Sequence, residues 1–216
     1  AGADVRVVED MPAARGGTLV TAQLRSARLS FTVAMPGRHW VANSLAVLAA
    51  VEAVGGDLAQ AGLALAEMAG LPGRGARRHV RTSDGGEALL IDEAYNANPA
   101  SMAATLAQLG EEKAGRRIAV LGAMKELGDL SASLHAGLAD AVKAADVRLA
   151  VLVGEDMAAL ADALAGDVSV ERAKDVTDVL NLVPERLVDG DVILIKGSNS
   201  VGLSRLVDKL AESEVA

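Results

Sequence analysis

Five short apolar runs in the second half of the chain constrain its fold more than any other feature. They read ALLID, RIAVLG, RLAVLVG, VSVERA and DVILIKG, at 88–92, 117–122, 148–154, 168–173 and 191–197. Runs this short and this rich in Val, Ile and Leu fit strands buried on both faces. VSVERA is the weakest of the five. Helical spacings separate or follow the runs, near 101–109, 134–145, 157–164, 176–182 and 203–210. Strand and helix in alternation give a parallel sheet covered on both sides. The expected class is therefore α/β, with a doubly wound, Rossmann-like domain built on a parallel sheet.

The first third reads differently. From Thr18 to Ala34 apolar and polar residues alternate, with an interruption over Arg25 to Arg28, which predicts two strands joined by a short turn. Val41, Leu45, Leu48, Ala49 and Glu52 then recur at helical spacing up to Gly55-Gly56, and a second helix is expected from Asp57 to Met68. Four of the six residues from Gly70 to Gly75 are glycine or proline, the clearest linker signal in the chain. The expected domains are 1–75 and 76–216.

Bulk properties narrow the function. The net charge is -8, which argues against a general nucleic-acid surface, although RGARRHVR at 74–81 is a local basic cluster. No apolar run approaches the ~18 residues of a membrane-spanning helix, and no signal peptide opens the chain, so no membrane insertion is expected. Zero cysteines exclude disulfides and thiolate metal sites and fit a cytoplasmic protein. The first methionine is Met11, and the chain is expected to be a fragment of a longer protein.

Ligands of open parallel sheets bind beyond the carboxyl ends of the strands. Four polar segments follow strands here: DEAYNANP, GAMKELG, GEDM and KGSNS. GEDM needs no reading beyond a polar turn. In the first, Asp92 ends a strand where a carboxylate can accept from adjacent hydroxyls such as those of ribose. Asn96 and Asn98 carry donor and acceptor together, suiting a purine edge, and Tyr95, the only tyrosine, offers a flat face and a hydroxyl. Asn98 and Pro99 also suit the N-cap and first turn of a helix. Arg74, beside a glycine, can fork onto a phosphate. His39 and Asn43 lie four apart, on one helix face. Lys196, Ser198, Asn199 and Ser200 make an anion site or a capped helix start, and Lys125 and Glu126 sit in a loop bounded by glycines. Nothing local supports a metal site. Neither G-x-x-x-x-G-K-[ST] nor G-x-G-x-x-G occurs after a strand.

Taken in order, GRHWVANSLA, LPGRG, DEAYNANPASM, LGAMKELGD and IKGSNS resemble the Mur ligases along essentially the whole chain, with YNANPASM pointing to the members that add D-alanyl-D-alanine. The resemblance implies that residues 1–75 are the end of a central ATP-binding domain without its phosphate loop and UDP-binding neighbour. Residues 76–216 would be the Rossmann-like carboxyl-terminal domain. It further implies a cytoplasmic, monomeric, ATP- and Mg2+-dependent peptidoglycan-precursor ligase. Such an enzyme joins D-alanyl-D-alanine to UDP-N-acetylmuramoyl-tripeptide through an acyl phosphate, and the 216-residue chain alone would be inactive. His39 and Asn43 would belong to the ATP site, Asn43 near adenine. Arg74 would be the catalytic hinge arginine at the phosphates, Asp92 would meet the ribose, and Tyr95, Asn96 and Asn98 would surround the nucleotide. Lys125, Lys196, Ser198, Asn199 and Ser200 would face the dipeptide. Glu93 and Ala123 depart from the family pattern, which often has aspartate at both places. A non-catalytic nucleotide- or peptide-binding module, or a related ligase such as folylpolyglutamate synthase, is the alternative.

Overall fold

The computed structural model describes residues 3–14, 16–35, 37–68 and 72–215. By its contacts the chain divides into two compact units, Ala1–Gly70 and Leu71–Ala216.

In the first unit, β1 (Arg6–Pro12), β2 (Thr18–Gln23) and β3 (Arg28–Val33) form an antiparallel sheet in that order. Alternation along the strands turns Val20 and Ala22 inward with Phe31 and Val33. There they meet Val41 and Leu48 of α1 (Arg38–Ala53) and Leu65 of α2 (Leu58–Glu67). Asp57 caps α2, accepting from the amides of Ala59 and Gln60 at 2.8 and 3.1 Å. Strand β1 has no counterpart in the sequence reading, because VVEDMP is charged, carries a proline and stays largely exposed. Glu52 has a different task from the apolar residues with which it shares helical spacing. Its carboxylate accepts from the Ser26 hydroxyl at 2.5 Å and from the Ser26 and Arg25 amides at 2.7 and 3.2 Å, closing the β2–β3 turn, and these bonds, the hydroxyl's foremost, hold it below the usual carboxylate range.

The second unit is a six-stranded sheet. Its strands are β4 (Ala76–Arg81), β5 (Glu87–Glu93), β6 (Arg116–Gly122), β7 (Val147–Val153), β8 (Ser169–Ala173) and β9 (Asp191–Lys196), ordered β4-β5-β9-β6-β7-β8. Strands β5 to β9 run parallel, and β4 pairs antiparallel with β5. The expected sheet is thus parallel except at this edge. Strand β4 falls in the basic cluster after the linker and lacks an apolar run, since only Val80 in it is buried. Its outer side is covered by the carboxyl-terminal residues: the Arg81 amide donates to the Ser213 carbonyl at 3.0 Å and the Val215 amide to the His79 carbonyl at 2.9 Å.

Helices cover both faces. Alternate strand residues Ala119, Leu121, Ala150, Leu152 and Leu194 pack against α3 (Pro99–Glu111), α5 (Ala139–Ala144) and α6 (Ala158–Leu164). Their neighbours Ile118, Val120, Val151, Ile193 and Ile195 pack against α7 (Val176–Arg186) and α8 (Ser204–Ala211). The single helix expected over 134–145 is two, α4 (Ser131–Ala136) and α5, parted by a tightened turn in which the Leu138 amide donates to the His135 carbonyl. Helix α7 runs past its expected end and through Pro184, which has no N–H for the Leu180 carbonyl one turn back. That carbonyl accepts from Lys209 Nζ at 2.8 Å instead. No helix among the described residues is long and apolar enough to cross a membrane.

Strand β9 leaves the sheet toward one face, into α8, while its neighbours β5 and β6 leave toward the other. Crevices open at the carboxyl ends where such exits diverge. The exits of β6 and β9 nearly touch: a Cβ on Gly197 would lie 3.0 Å from Gly122 Cα and 2.9 Å from Leu203 Cδ1. We expect Gly197→Ala to destabilise the second unit by about 1–3 kcal/mol, read from its urea unfolding midpoint.

Candidate functional site

Asp92 organises the first segment of the site. It is buried at the end of β5, and both its oxygens accept from backbone amides, Gly73 at 2.6 Å and Ala94 at 3.1 Å. The Asp92 carbonyl accepts from Gly75 at 2.8 Å, and the Tyr95 amide donates to the Gly73 carbonyl at 3.2 Å. Residues 73–75 are therefore docked on the second unit. The earlier part of the linker, 69–71, lies outside the described residues. Gly73 has φ +73°, and a Cβ there would stand 2.7 Å from Tyr95 Cβ, so this close approach requires glycine. Docking sets the Arg74 guanidinium over the Tyr95 ring, 4.3 Å from its centre, in a cation–π contact. Tyr95 is 50% exposed.

The loop beyond Tyr95 is held by different groups. Asn98 caps α3: its Oδ1 accepts from the Ser101 amide at 2.8 Å while Ser101 Oγ accepts from the Asn98 amide at 3.1 Å. Asn96 is exposed, with Oδ1 accepting from the Ala97 amide at 2.9 Å. Lys196 enters from β9. Its ammonium, with the residue only 2% exposed, donates to the Asn96 carbonyl at 2.9 Å and to Glu93 Oε2 at 3.3 Å. Burial pushes the Lys196 ammonium below its ordinary value and the Glu93 carboxyl above its own, and each partner's charge opposes the other's shift.

Across β9 the remaining segments meet. The Ser198 amide donates to the Ala123 carbonyl at 3.2 Å, tying KGSNS to GAMKELG. Asn199 and Ser200 belong to a single 3-10 turn, and Ser200 Oγ lies 3.5 Å from Ser198 Oγ. Lys125 extends to Asp156 at 2.7 Å, a contact that lowers the Asp156 carboxyl; the GEDM turn thus contributes more than a polar reversal. His135, absent from the sequence reading, is fully buried behind this loop. Its Nε2 accepts from the Met124 amide at 2.9 Å, and Nδ1 lies 2.7 Å from the Ser131 carbonyl, to which it donates. Only the fold reveals this contact, because no local spacing links residues 124 and 135.

The structure thus brings Arg74, Asp92, Tyr95, Asn96, Asn98 and Lys196 together around the exit of β5. It sets Lys125 and Ser198 to Ser200 at the exits of β6 and β9. His39 and Asn43 belong to the first unit, one turn apart on α1. There Asn43 lines an apolar pocket with Met35, Trp40, Leu65 and Met68, and the His39 ring lies 5.6 Å from that of Trp40. Among the described residues no group of three or more His, Asp or Glu side chains is placed to hold a metal ion.

Comparison with known proteins bears on this arrangement. The family profile of the Mur ligase, glutamate ligase domain matches residues 76–199. The UDP-N-acetylmuramoyl-tripeptide--D-alanyl-D-alanine ligase of Escherichia coli is 33% identical over 198 residues, 91% of this chain and 42% of the relative. Its namesake in Synechocystis is 35% identical over 185 residues, 84% of this chain and 39% of the relative. The chain therefore spans about two fifths of the length of these relatives. Among solved structures, MurF from Acinetobacter baumannii aligns with TM-score 0.79 at 24% identity, covering 98% of this chain and 46% of its own. MurF ligase from Thermotoga maritima in complex with ADP aligns with TM-score 0.74 at 20% identity, covering 98% and 47%. These two show the shared fold.

The buried pair generates a stability prediction. Removing one partner of such a pair costs about 3–5 kcal/mol, whereas replacing both with apolar groups is often neutral or stabilising. Glu93→Leu should follow the first rule and the Glu93→Leu, Lys196→Met double variant the second, as measured by urea unfolding. The direction with pH is set by the raised Glu93 carboxyl. A raised folded value contributes stability at low pH that is lost as pH climbs through that value. In Lys196→Met, with no ammonium opposing the shift, stability should fall more steeply than in the wild type as pH rises above the ordinary carboxylate range.

Proposed function

This chain belongs to the Mur ligase family, and on that premise we propose that it forms part of an ATP-dependent amide ligase joining D-alanyl-D-alanine to UDP-N-acetylmuramoyl-tripeptide. The observation that carries the reading is the run of curated relatives with that one name, 30–35% identical over 83–97% of this chain. A cytoplasmic location and a monomeric state go with it.

In such a reaction ATP supplies the phosphoryl group that activates the terminal carboxyl of the tripeptide. The amine of the dipeptide then attacks the acyl carbon, forming a C–N bond as the bond to phosphate breaks, and gives up a proton. The chain's own groups suit the nucleotide side: a guanidinium on an exposed aromatic face, next to the exposed Asn96. Arg74 brings positive charge to the phosphate oxygens, where charge builds during transfer. Tyr95 holds the guanidinium by its ring. Asp92 acts through Gly73 and Ala94, fixing the segment that carries both, and Asn98 fixes the start of α3. On the first unit, His39 and Asn43 of α1 match residues that the family resemblance places at ATP, Asn43 near adenine. Lys125, Ser198, Asn199 and Ser200 face the dipeptide. Magnesium enters as a cofactor of the reaction, and none of the described side chains is assigned to it.

The test uses the longest natural protein that carries this sequence. Phosphate release from ATP should require the UDP-linked tripeptide and D-alanyl-D-alanine together, with glutamate unable to replace the dipeptide. Nucleotide binding without turnover would favour a binding module instead. Arg74→Ala should lower kcat about 10²-fold or more, as expected for a lost transition-state charge contact, and wild-type turnover in that variant would remove Arg74 from the mechanism.

A further inference from the structure

We propose that Lys196 is a positioning residue for the nucleotide-facing loop rather than a contact for the incoming dipeptide. This rests on the ligase reading above and assigns Lys196 a different side of the site from the one its sequence neighbours suggest.

The sheet register supplies the first argument. Glu93 and Lys196 are direct partners on adjacent parallel strands, the last residues of β5 and β9. Both follow the residues that face α3, two places beyond Ile91 and Leu194 of that core. From there the lysine stem leads its ammonium to the loop that opens α3. Two donor bonds are already made, to Glu93 and to the Asn96 carbonyl, and the residue is almost completely enclosed. A group spent in this way has little left to offer a ligand arriving from solvent.

The second argument is what the carbonyl of Asn96 does. The stretch from Asp92 to Asn98 is pinned in four places, one of them the Tyr95 amide on the Gly73 carbonyl of the linker. Asp92 holds its start through the Ala94 amide, and the Asn98 capping box holds its end. Between them, at the Tyr95–Asn96 tip, the tether reaching across from another strand is Lys196 Nζ on the Asn96 carbonyl. Tyr95 is the residue just before that carbonyl, and its ring carries Arg74. Lys196 therefore acts on the guanidinium through the loop, and Glu93 supports it by supplying the counter-charge that an enclosed ammonium requires.

Two measurements on the full-length protein test this: hydrogen exchange of the 94–97 amides, and the separate KM values for ATP and D-alanyl-D-alanine at about pH 7. Lys196→Met keeps the apolar stem and removes the charge and the donor. Exchange at 94–97 should rise about tenfold and the ATP KM about tenfold, as for one lost charged hydrogen bond, with the dipeptide KM within about twofold of wild type. Lys196→Arg should restore most of both. Lys196→Gln, one bond shorter and still polar against Glu93, gives the same expectation as Met and serves should Met not fold. Unchanged exchange in both shortened variants would overturn the proposal. So would a raised dipeptide KM beside an unchanged ATP KM. Should the wild type form no ligated product, the ligase reading falls, while the exchange result still decides whether Lys196 anchors the loop.

Discussion

Strand β9 hydrogen-bonds β5 on one side and β6 on the other, and this insertion decides which polar segments meet at the exits of these three strands. Without it, Lys196 would not stand opposite Glu93, nor KGSNS against GAMKELG. The cost of a parallel ladder assembled from distant segments is met by apolar burial on both faces, since all six residues of β9 are buried. Two of those six, Asp191 and Lys196, are charged, and each is paired. Asp191 accepts from both Nε and Nη2 of Arg116, and Lys196 donates to Glu93. The two ends of the central strand obey the same rule, that an enclosed charge must be matched.

A second constraint acts at the start of this unit. A mobile glycine hinge would leave Arg74 free to swing, with the ordering cost to be met whenever it engaged a phosphate. Three hydrogen bonds tie 73–75 to Asp92 and Tyr95, and a fourth, from the Ala94 amide to Asp92, orders the loop they meet, so that cost is met in folding. The guanidinium then rests on an aromatic face rather than in water. In the ligase reading this is preorganisation of charge, the property that makes electrostatic stabilisation effective.

Much of this was legible in the sequence. Apolar runs identified β5, β6, β7 and β9, because strands buried on both faces must be almost uniformly apolar. The strands missed were those that escape this requirement: β4, with one buried residue, and β1, with none. Helix α7 outran its expected end because Lys209 compensates the carbonyl that Pro184 leaves open, a partner 29 residues away from Leu180. The polar segments were also visible, as was the family they resemble.

What the sequence by itself determined, then, was the class of fold, the segments that could carry chemistry and the end of the sheet where they gather. These follow from local periodicity and from where polar residues interrupt it. Only the tertiary structure decided which group each polar side chain meets: Lys196 with Glu93, 103 positions apart, Lys125 with Asp156, and His135 behind Met124. The reason is physical. A side chain's periodicity is set by its own strand or helix, but its partner is set by strand order and register, which arise from the packing of the whole unit.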